Sequence, residues 1–315
     1  MRKSGVIIVL LILARFGFAQ QDPQISHYMF NPVFFNPAFS GLEGTSRISA
    51  LHRTQWLGYQ PTLDQGGAPS TQLITFSTPL LGMNSGVGGY VSNDRLGPLN
   101  NLEIQGSYAY HRKIGNGLLS GGIKAGLYSQ TVDFAKYRPI NPDDPLINSK
   151  GRESQIKPDL GIGFNYRSEK YYAGISINHI MPATFDFGLN QRVSLQPTLY
   201  ITGGYFYEVN FDLKLQFLSL IKSDFNKTAV DFGGIAYLKD TMWGGLSFRE
   251  SEAAILMFGY SLFRDKSLKI GYSMDYVIQN QAVKQPTSHE FMIVYELPVA
   301  AATPKKIIRT PRYRH

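Results

Sequence analysis

The segment from Pro158 to His179 constrains the fold more than any other part of the sequence. Read with a period of two, its first half places apolar side chains on one face and glycine or asparagine on the other. After the polar turn Arg167–Lys170 the same alternation returns, which predicts a β-hairpin. A soluble β-sandwich would show this alternation too. The glycine-rich polar face and the tyrosines beside the turn favour a membrane barrel with an aromatic girdle.

Composition limits how the chain could cross a membrane. Of the 315 residues, 43% are hydrophobic and 17% are charged. Beyond the N-terminus, no run approaches the roughly 20 apolar residues of a spanning helix. A closed β-barrel is the other structure that satisfies every backbone group in lipid. The sequence contains no cysteine, which excludes disulfides, thiolate metal sites and a lipid-modified N-terminal cysteine.

The first 19 residues are predicted to be a signal peptide. Arg2 and Lys3 precede the apolar run Val6–Ala14, and the small residues Gly17 and Ala19 fit a cleavage site before Gln20. This pattern predicts export.

The net charge of +8 does not indicate a nucleic-acid partner. Eight of the basic residues belong to the signal peptide and to residues 298–315, and these two segments contain no acidic residue. They are Arg2, Lys3, Arg15, Lys305, Lys306, Arg309, Arg312 and Arg314. The part between them is close to neutral, so no basic face remains for nucleic acid.

Fourteen strands are predicted from Thr45 onward, most of them long enough for tilted membrane strands. They are Thr45–Trp56, Thr71–Thr78, Ser85–Asn93, Asn101–His111, Leu118–Ser129, Asp159–Tyr166, Tyr171–His179, Thr198–Val209, Phe211–Lys222, Ala229–Leu238, Thr241–Phe248, Ala253–Phe263, Leu268–Val277 and Ser288–Leu297. Ala253–Phe263 is apolar on both faces and would also fit a buried helix.

The connections between these strands alternate in length. Odd-numbered ones, such as Asp94–Asn100, Gln130–Pro158 and Ile180–Pro197, are long, and most even-numbered ones, such as Arg167–Lys170, are tight. Long loops at one end and short periplasmic turns at the other are typical of outer-membrane barrels. We therefore predict an all-β, antiparallel transmembrane barrel of the outer membrane over residues 45–297. It is preceded by an irregular leader, residues 20–44, and followed by a basic periplasmic tail, residues 298–315.

The leader is apolar but cannot form a regular element, because Asn31-Pro32 and Asn36-Pro37 interrupt it. Such a segment must pack against the barrel, in its lumen or at its periplasmic rim. Two interpretations stay open. The leader either seals the barrel or presents a partner-binding surface, and the candidates for such a surface are Tyr28, Phe30, Phe34 and Phe35. The tail cations Lys305, Lys306, Arg309, Arg312 and Arg314 are further candidates for partner binding.

Charged residues on the predicted strands are expected to face the lumen, since a basic residue on the lipid face costs about 2–4 kcal/mol at mid-membrane. The set comprises Arg47, Arg53, Glu103, Lys124, Lys214 and Glu290. A structural salt-bridge network is favoured over a selectivity filter.

No catalytic, cofactor or metal site is predicted. The six histidines lie on six different segments, without metal-ligand spacing, and no nucleophile elbow is found. Asn141–Pro145 offers oxygen atoms for calcium, but a solvated turn is favoured there.

Several motifs resemble the PorP/SprF family of type IX secretion and gliding membrane proteins. The resemblance rests mainly on Tyr28–Pro32, Asn36–Phe39, Arg53–Gly58, Gly67–Thr71 and Ser92–Asp94. Position 27 departs from the family by being His where Gln is frequent, and the basic tail is a second departure.

The resemblance implies a non-enzymatic component of the type IX secretion and gliding machinery that helps to export or anchor surface proteins. The implied partners are outer-membrane lipid, a secreted surface protein or its C-terminal signal, and periplasmic subunits of the machinery. A passive channel or a transporter of hydrophobic substrates is the alternative, since barrels of this size can hold an open lumen.

Overall fold

A computed structural model describes residues 22–61, 64–138, 151–188, 193–250, 252–279 and 284–298. The predicted signal peptide, the tail after Pro298 and the candidate calcium segment Asn141–Pro145 lie outside these residues. Within the described ranges, no helix has both the length and the apolar character needed to cross a membrane.

Fourteen antiparallel strands form a closed barrel, which confirms the predicted fold. The strands of the barrel are β1 (Thr45–Thr54), β2 (Ser70–Leu80), β3 (Ser85–Leu96), β4 (Leu99–Ile114), β5 (Gly117–Asp133), β6 (Arg152–Arg167), β7 (Tyr171–Asn178), β10 (Thr198–Glu208), β11 (Leu213–Ser223), β12 (Thr228–Leu238), β13 (Met242–Arg249), β14 (Ala253–Leu262), β15 (Leu268–Val277) and β16 (Thr287–Pro298). Two further short strands, β8 (Ala183–Phe185) and β9 (Val193–Leu195), pair with each other in the connection between β7 and β10.

The first and last strands close the barrel. β1 pairs with β16 from Thr45 opposite Pro298 to Thr54 opposite His289. Closure leaves the sheet without an unpaired edge, which a membrane barrel requires.

The alternation in sequence sorts side chains between lipid and lumen. On β6, the Phe164 side chain is 53% exposed on the outer wall, whereas its neighbour Asn165 is 1% exposed and faces inward. The segment Ala253–Phe263 is a strand, β14, although both of its faces are apolar. Its inward residues Ile255 and Met257 pack in the hydrophobic core inside the barrel, which we call the lumen core, and Leu256 faces lipid.

The two ends of the barrel differ, as predicted, but less uniformly. We call the end at which β1 begins the turn end and the opposite end, with connections such as 134–151 and 179–197, the loop end. The predicted loop Asp94–Asn100 is only the turn Gly97-Pro98, because β3 and β4 continue as paired strands to Leu96 and from Leu99. β5 and β6 also extend beyond their predicted loop-end limits.

Candidate functional site

The leader enters the barrel and fills its lumen. Pro32 and Pro37 each begin a short helical turn, at Pro32–Phe35 and Pro37–Phe39, because proline suits the first helical position and cannot continue a strand. The Asn36 side chain accepts a hydrogen bond from the Ala38 amide at 2.9 Å. Its amide nitrogen donates to the carbonyl of Phe164, on β6, at 3.0 Å. The Asn-Pro pairs thus set the path of the leader along the barrel wall.

Four leader aromatics form the centre of the lumen core. Tyr28, Phe30, Phe34 and Phe35 are all at most 5% exposed. The Phe30 ring lies 4.9 Å from that of Trp243, the Phe34 ring 4.9 Å from that of Tyr90, and the Phe35 ring 5.3 Å from that of Tyr200. In this arrangement the rings fill the barrel, and Tyr28, Phe30 and Phe35 also line a cavity at the turn end, so a role in partner binding stays a prediction.

Glycines on the wall let the leader approach closely. A Cβ at Gly122 would lie 2.5 Å from the Ala38 amide nitrogen, and one at Gly86 would lie 2.3 Å from the Ser40 carbonyl oxygen. A Cβ at Gly163 would lie 2.1 Å from the Asn36 side chain. At Gly122 and Gly86 the close atoms belong to the leader backbone, so only glycine fits there, and at Gly163 the close atom belongs to the hydrogen-bonded Asn36 side chain. These three glycines are therefore part of the surface on which the leader packs.

A buried ion cluster fixes the start of the leader to the closing seam of the barrel. Arg53 of β1 donates to Asp275 at 2.7 Å and lies 3.5 Å from Glu290, its register partner on β16. Glu290 accepts hydrogen bonds from the backbone amides of Ser26 and His27, at 2.9 and 2.8 Å, and contacts the His27 ring at 2.6 Å. The Ser26 hydroxyl donates to Asp275. Leader docking and barrel closure therefore share the same charged groups.

A second cluster holds the first described residue of the leader, Asp22. Its carboxylate accepts a hydrogen bond from the Tyr200 hydroxyl and lies 3.1 Å from His179 Nε2. Lys222 donates to its carbonyl oxygen. Burial alone raises the pKa of Asp22, but the charges of His179 and Lys222 outweigh burial and keep that pKa well below the usual range.

The same cluster contains the one group of potential metal ligands found among the described residues, Glu103, Asp159 and His179. Their ligand atoms lie within 4.8 Å of one another. Both nitrogens of His179 already face carboxylates, Asp159 at 3.0 Å and Asp22 at 3.1 Å. An imidazole that donates from both nitrogens is cationic and cannot bind a metal, so this group is better suited to ion pairing than to metal binding.

Four of the six predicted lumen residues lie in the interior of the barrel, and the other two lie at its turn end. Arg53, Glu103, Lys124 and Glu290 are buried in the interior. Arg47 lies at the turn end beside Glu43 and Glu296. Lys214 also lies at the turn end, where its half-exposed ammonium is 3.5 Å from Asp240.

Sequence reasoning missed much of the interior charge, although strand parity marks several of these residues as inward-facing. Missed residues are Asp22, Asp159, His179, Lys222, Asp231, Arg249 and Asp275. Arg249, for example, donates to Asp231 and Asp275 but stands one residue beyond the predicted strand Thr241–Phe248.

The β8–β9 hairpin covers the loop end of the barrel. The β8–β9 hairpin packs Phe185 and Leu195 against Tyr128 and Val132, which face inward from β5. The tail cations Lys305, Lys306, Arg309, Arg312 and Arg314 lie outside the described residues, so their role stays a prediction.

The turn end holds a cavity of about 320 Å³ beneath the leader, which we call the vestibule. Seven aromatic residues line it: Tyr28, Phe30, Phe35, Phe39, Tyr172, Phe206 and Tyr237. Within the described part of the chain, the buried hydroxyls of Tyr28 and Thr202, which also line it, have no hydrogen-bond partner.

Charged residues of alternating sign border the vestibule. Arg167 lies 3.9 Å from Glu43, which also contacts Arg47, and Lys269 lies 2.8 Å from Glu296, which is 3.6 Å from Arg47. Three cations against two carboxylates give this border a net charge of +1.

Comparison with known structures finds other barrels at low identity. The chain is similar to the Pseudomonas putida toluene transporter TodX, at 9% identity over 90% of this chain and 96% of that chain, with a TM-score of 0.47. It is also similar to Acinetobacter baumannii Omp33, at 6% identity over 81% and 99% of the two chains, with a TM-score of 0.45. Identities this low transfer neither substrate nor mechanism.

Comparison with curated proteins finds no match. Residues 17–295, by contrast, match the family model described as type IX secretion system membrane protein PorP/SprF. That range includes the leader and nearly all of the barrel with which it packs. The chain therefore belongs to the PorP/SprF family of type IX secretion system membrane proteins.

Proposed function

We propose that the protein is a plugged, non-enzymatic outer-membrane component of type IX secretion and gliding that helps to export or anchor surface proteins. In this proposal the turn end faces the periplasm, and the vestibule receives a segment of a periplasmic machinery subunit. The observation that carries the proposal is the filled lumen, in which leader aromatics and two ion clusters occupy the space that a passive channel would keep open.

The chemistry of the vestibule suits an extended peptide with apolar side chains and an acidic group. Aromatic walls favour apolar side chains, and the hydroxyls of Tyr28 and Thr202 are available for hydrogen bonds to a peptide backbone. The net positive border favours a carboxylate. This partner class agrees with the machinery partners that family membership implies.

Site-specific photo-crosslinking in cells tests the vestibule. A photoreactive residue at Phe206 points into the vestibule, whereas one at the adjacent Tyr205, which is 45% exposed on the outer wall, points to lipid. We expect a protein adduct from position 206 and none from position 205. No adduct at position 206, or the same adduct at both positions, would contradict the proposed docking.

The alternative of a channel or hydrophobic-substrate transporter would require the leader to leave the lumen.

The basic tail is a second candidate contact for periplasmic partners, through its five cations. Deleting residues 303–315 should leave barrel assembly intact, because β16 ends at Pro298. We expect the deletion to lower co-purification of periplasmic subunits at low salt, and unchanged co-purification and secretion would exclude a role for the tail.

A further inference from the structure

The outer wall of the barrel carries a basic cleft at the loop end. A cavity of about 330 Å³ lies there, and its charged lining residues are Arg95, Asp133, Lys136 and Arg152. On β3 and β4 the neighbours Asp94 and Asn101 are buried and face inward, so Arg95 and Asn100 face outward. On β6, Asp159 faces inward, so Arg152, at an odd offset from it, faces outward as well.

The cleft lies just above the lipid-facing apolar surface. Val91 precedes Arg95 by four residues on β3, and Ile156 follows Arg152 by four residues on β6; both apolar side chains are strongly exposed on the outer wall. Four residues of a strand tilted by about 40° rise by about 10 Å along the membrane normal. The two arginines therefore lie about 10 Å nearer the loop end than these apolar side chains, a height at which a basic residue can reach lipid headgroups.

Three loop-end connections contact one another and cover the cleft. The Gln65 amide donates to the Lys136 carbonyl at 2.9 Å, and the Asp133 amide donates to the Pro98 carbonyl at 3.0 Å. Gly66 sits directly on the β3–β4 turn, since a Cβ there would be 2.2 Å from Gly97 Cα. Three connections are thus tied together over the outward face of β3–β6.

The charge of the cleft is unbalanced. Three cations and one carboxylate, Asp133, line the cleft, and Asp133 lies 4.0 Å from Lys136. A second carboxylate, that of Asp64, lies beside the lining residue Gly97, so the cations still exceed the carboxylates by one. Within the described ranges, neither Arg95 nor Arg152 forms an ion pair, although Asp133 on β5 is the register partner of Arg152. Their strands are separated by three strand spacings, or about 14 Å. The side chains of Arg95 and Arg152 can extend toward each other across this gap and approach the same anionic group.

We infer that this cleft binds the phosphate-bearing headgroup of an outer-leaflet lipid. Arginine pairs with phosphate through bidentate hydrogen bonds, and the apolar wall below offers a surface for acyl chains. The inference goes beyond the proposed secretion role, and it uses the proposed orientation only to assign the loop end to the outer leaflet.

Native mass spectrometry of the full-length protein in detergent tests the inference. The probes are a bis-phosphorylated glucosamine-based lipid, its dephosphorylated form and inorganic phosphate. We expect the phosphorylated lipid to bind about tenfold more tightly than the dephosphorylated one, as charge-assisted contacts imply. The double variant Arg95→Gln/Arg152→Gln should lose this difference, and Arg95→Lys/Arg152→Lys should retain part of it.

Arg112→Gln is the matched control, because Arg112 also faces outward on β4 but lies at the turn end. It should leave binding unchanged. Heat-modifiable gel mobility establishes that each variant is folded. Equal affinity for both lipids, or an unaltered double variant, would overturn the inference. Inorganic phosphate that binds as tightly as the lipid would reduce the cleft to a free-anion site and overturn the lipid assignment. None of these outcomes bears on the vestibule.

Discussion

At the residue scale, the interior depends on charges that satisfy one another away from water. Arg53 is the clearest case. Its side chain is 2% exposed, forms ion pairs with Asp275 and Glu290, and donates a hydrogen bond to the Ser26 hydroxyl. Removing Arg53 would leave Asp275 with Arg249 and Glu290 with His27, so two buried carboxylates would share fewer cations. Breaking a buried ion pair in this way costs far more than the intact pair contributes.

We therefore expect Arg53→Met to destabilise the folded barrel by about 3–5 kcal/mol. Lys214→Met is the control, since the Lys214–Asp240 pair is about half exposed and such pairs contribute roughly 0–1 kcal/mol. Urea unfolding in liposomes, followed by heat-modifiable gel mobility, measures both. Similar losses from the two variants would mean that the ion cluster does not hold the seam.

At the scale of elements, the fold was more predictable from the sequence than the site. The lipid faces follow from local alternation, as Phe164 and Asn165 show, because lipid imposes the same requirement on every strand. The lumen contacts do not follow in this way. His179 meets Asp22 across 157 positions, and the pairing depends on the path of an irregular leader that has no periodicity. The β8–β9 hairpin was also not predicted, because it lies within the connection Ile180–Pro197, which was read as a loop.

The fit between leader and wall gives a prediction for one pair of neighbouring glycines. Gly122→Ala would place a Cβ 2.5 Å from the leader backbone, whereas at Gly121 a Cβ would lie 3.4 Å from the Phe164 ring on the outer wall, an ordinary contact. The first change should loosen the leader and the second should not.

A reporter cysteine at Ser40, which is fully buried, measures this effect in a chain without other cysteines. Maleimide labelling at Ser40→Cys should be faster with Gly122→Ala than with Gly121→Ala. Equal rates would show that the wall glycines are not part of the surface on which the leader packs.

At the scale of the whole molecule, orientation follows from the asymmetry of the two ends. Cysteines placed singly at Ala135, at the loop end, and at Glu169, at the turn end, are both exposed. An impermeant maleimide should label intact cells at position 135 and not at position 169. The reverse result would invert the barrel, and with it both the periplasmic vestibule and the outer-leaflet lipid cleft.

The central claim is that the leader plugs the barrel, and conductance in planar bilayers tests it most directly. We expect the full-length protein to be electrically silent, because the leader core, two ion clusters and the β8–β9 hairpin occupy the path across the lumen. A variant that lacks residues 22–39 and carries a short linker in place of residues 183–195 has neither the leader nor the β8–β9 hairpin. If its gel mobility shows a folded barrel, it should conduct and so prove that the assay detects an open lumen. A steady open pore in the full-length protein would contradict the account.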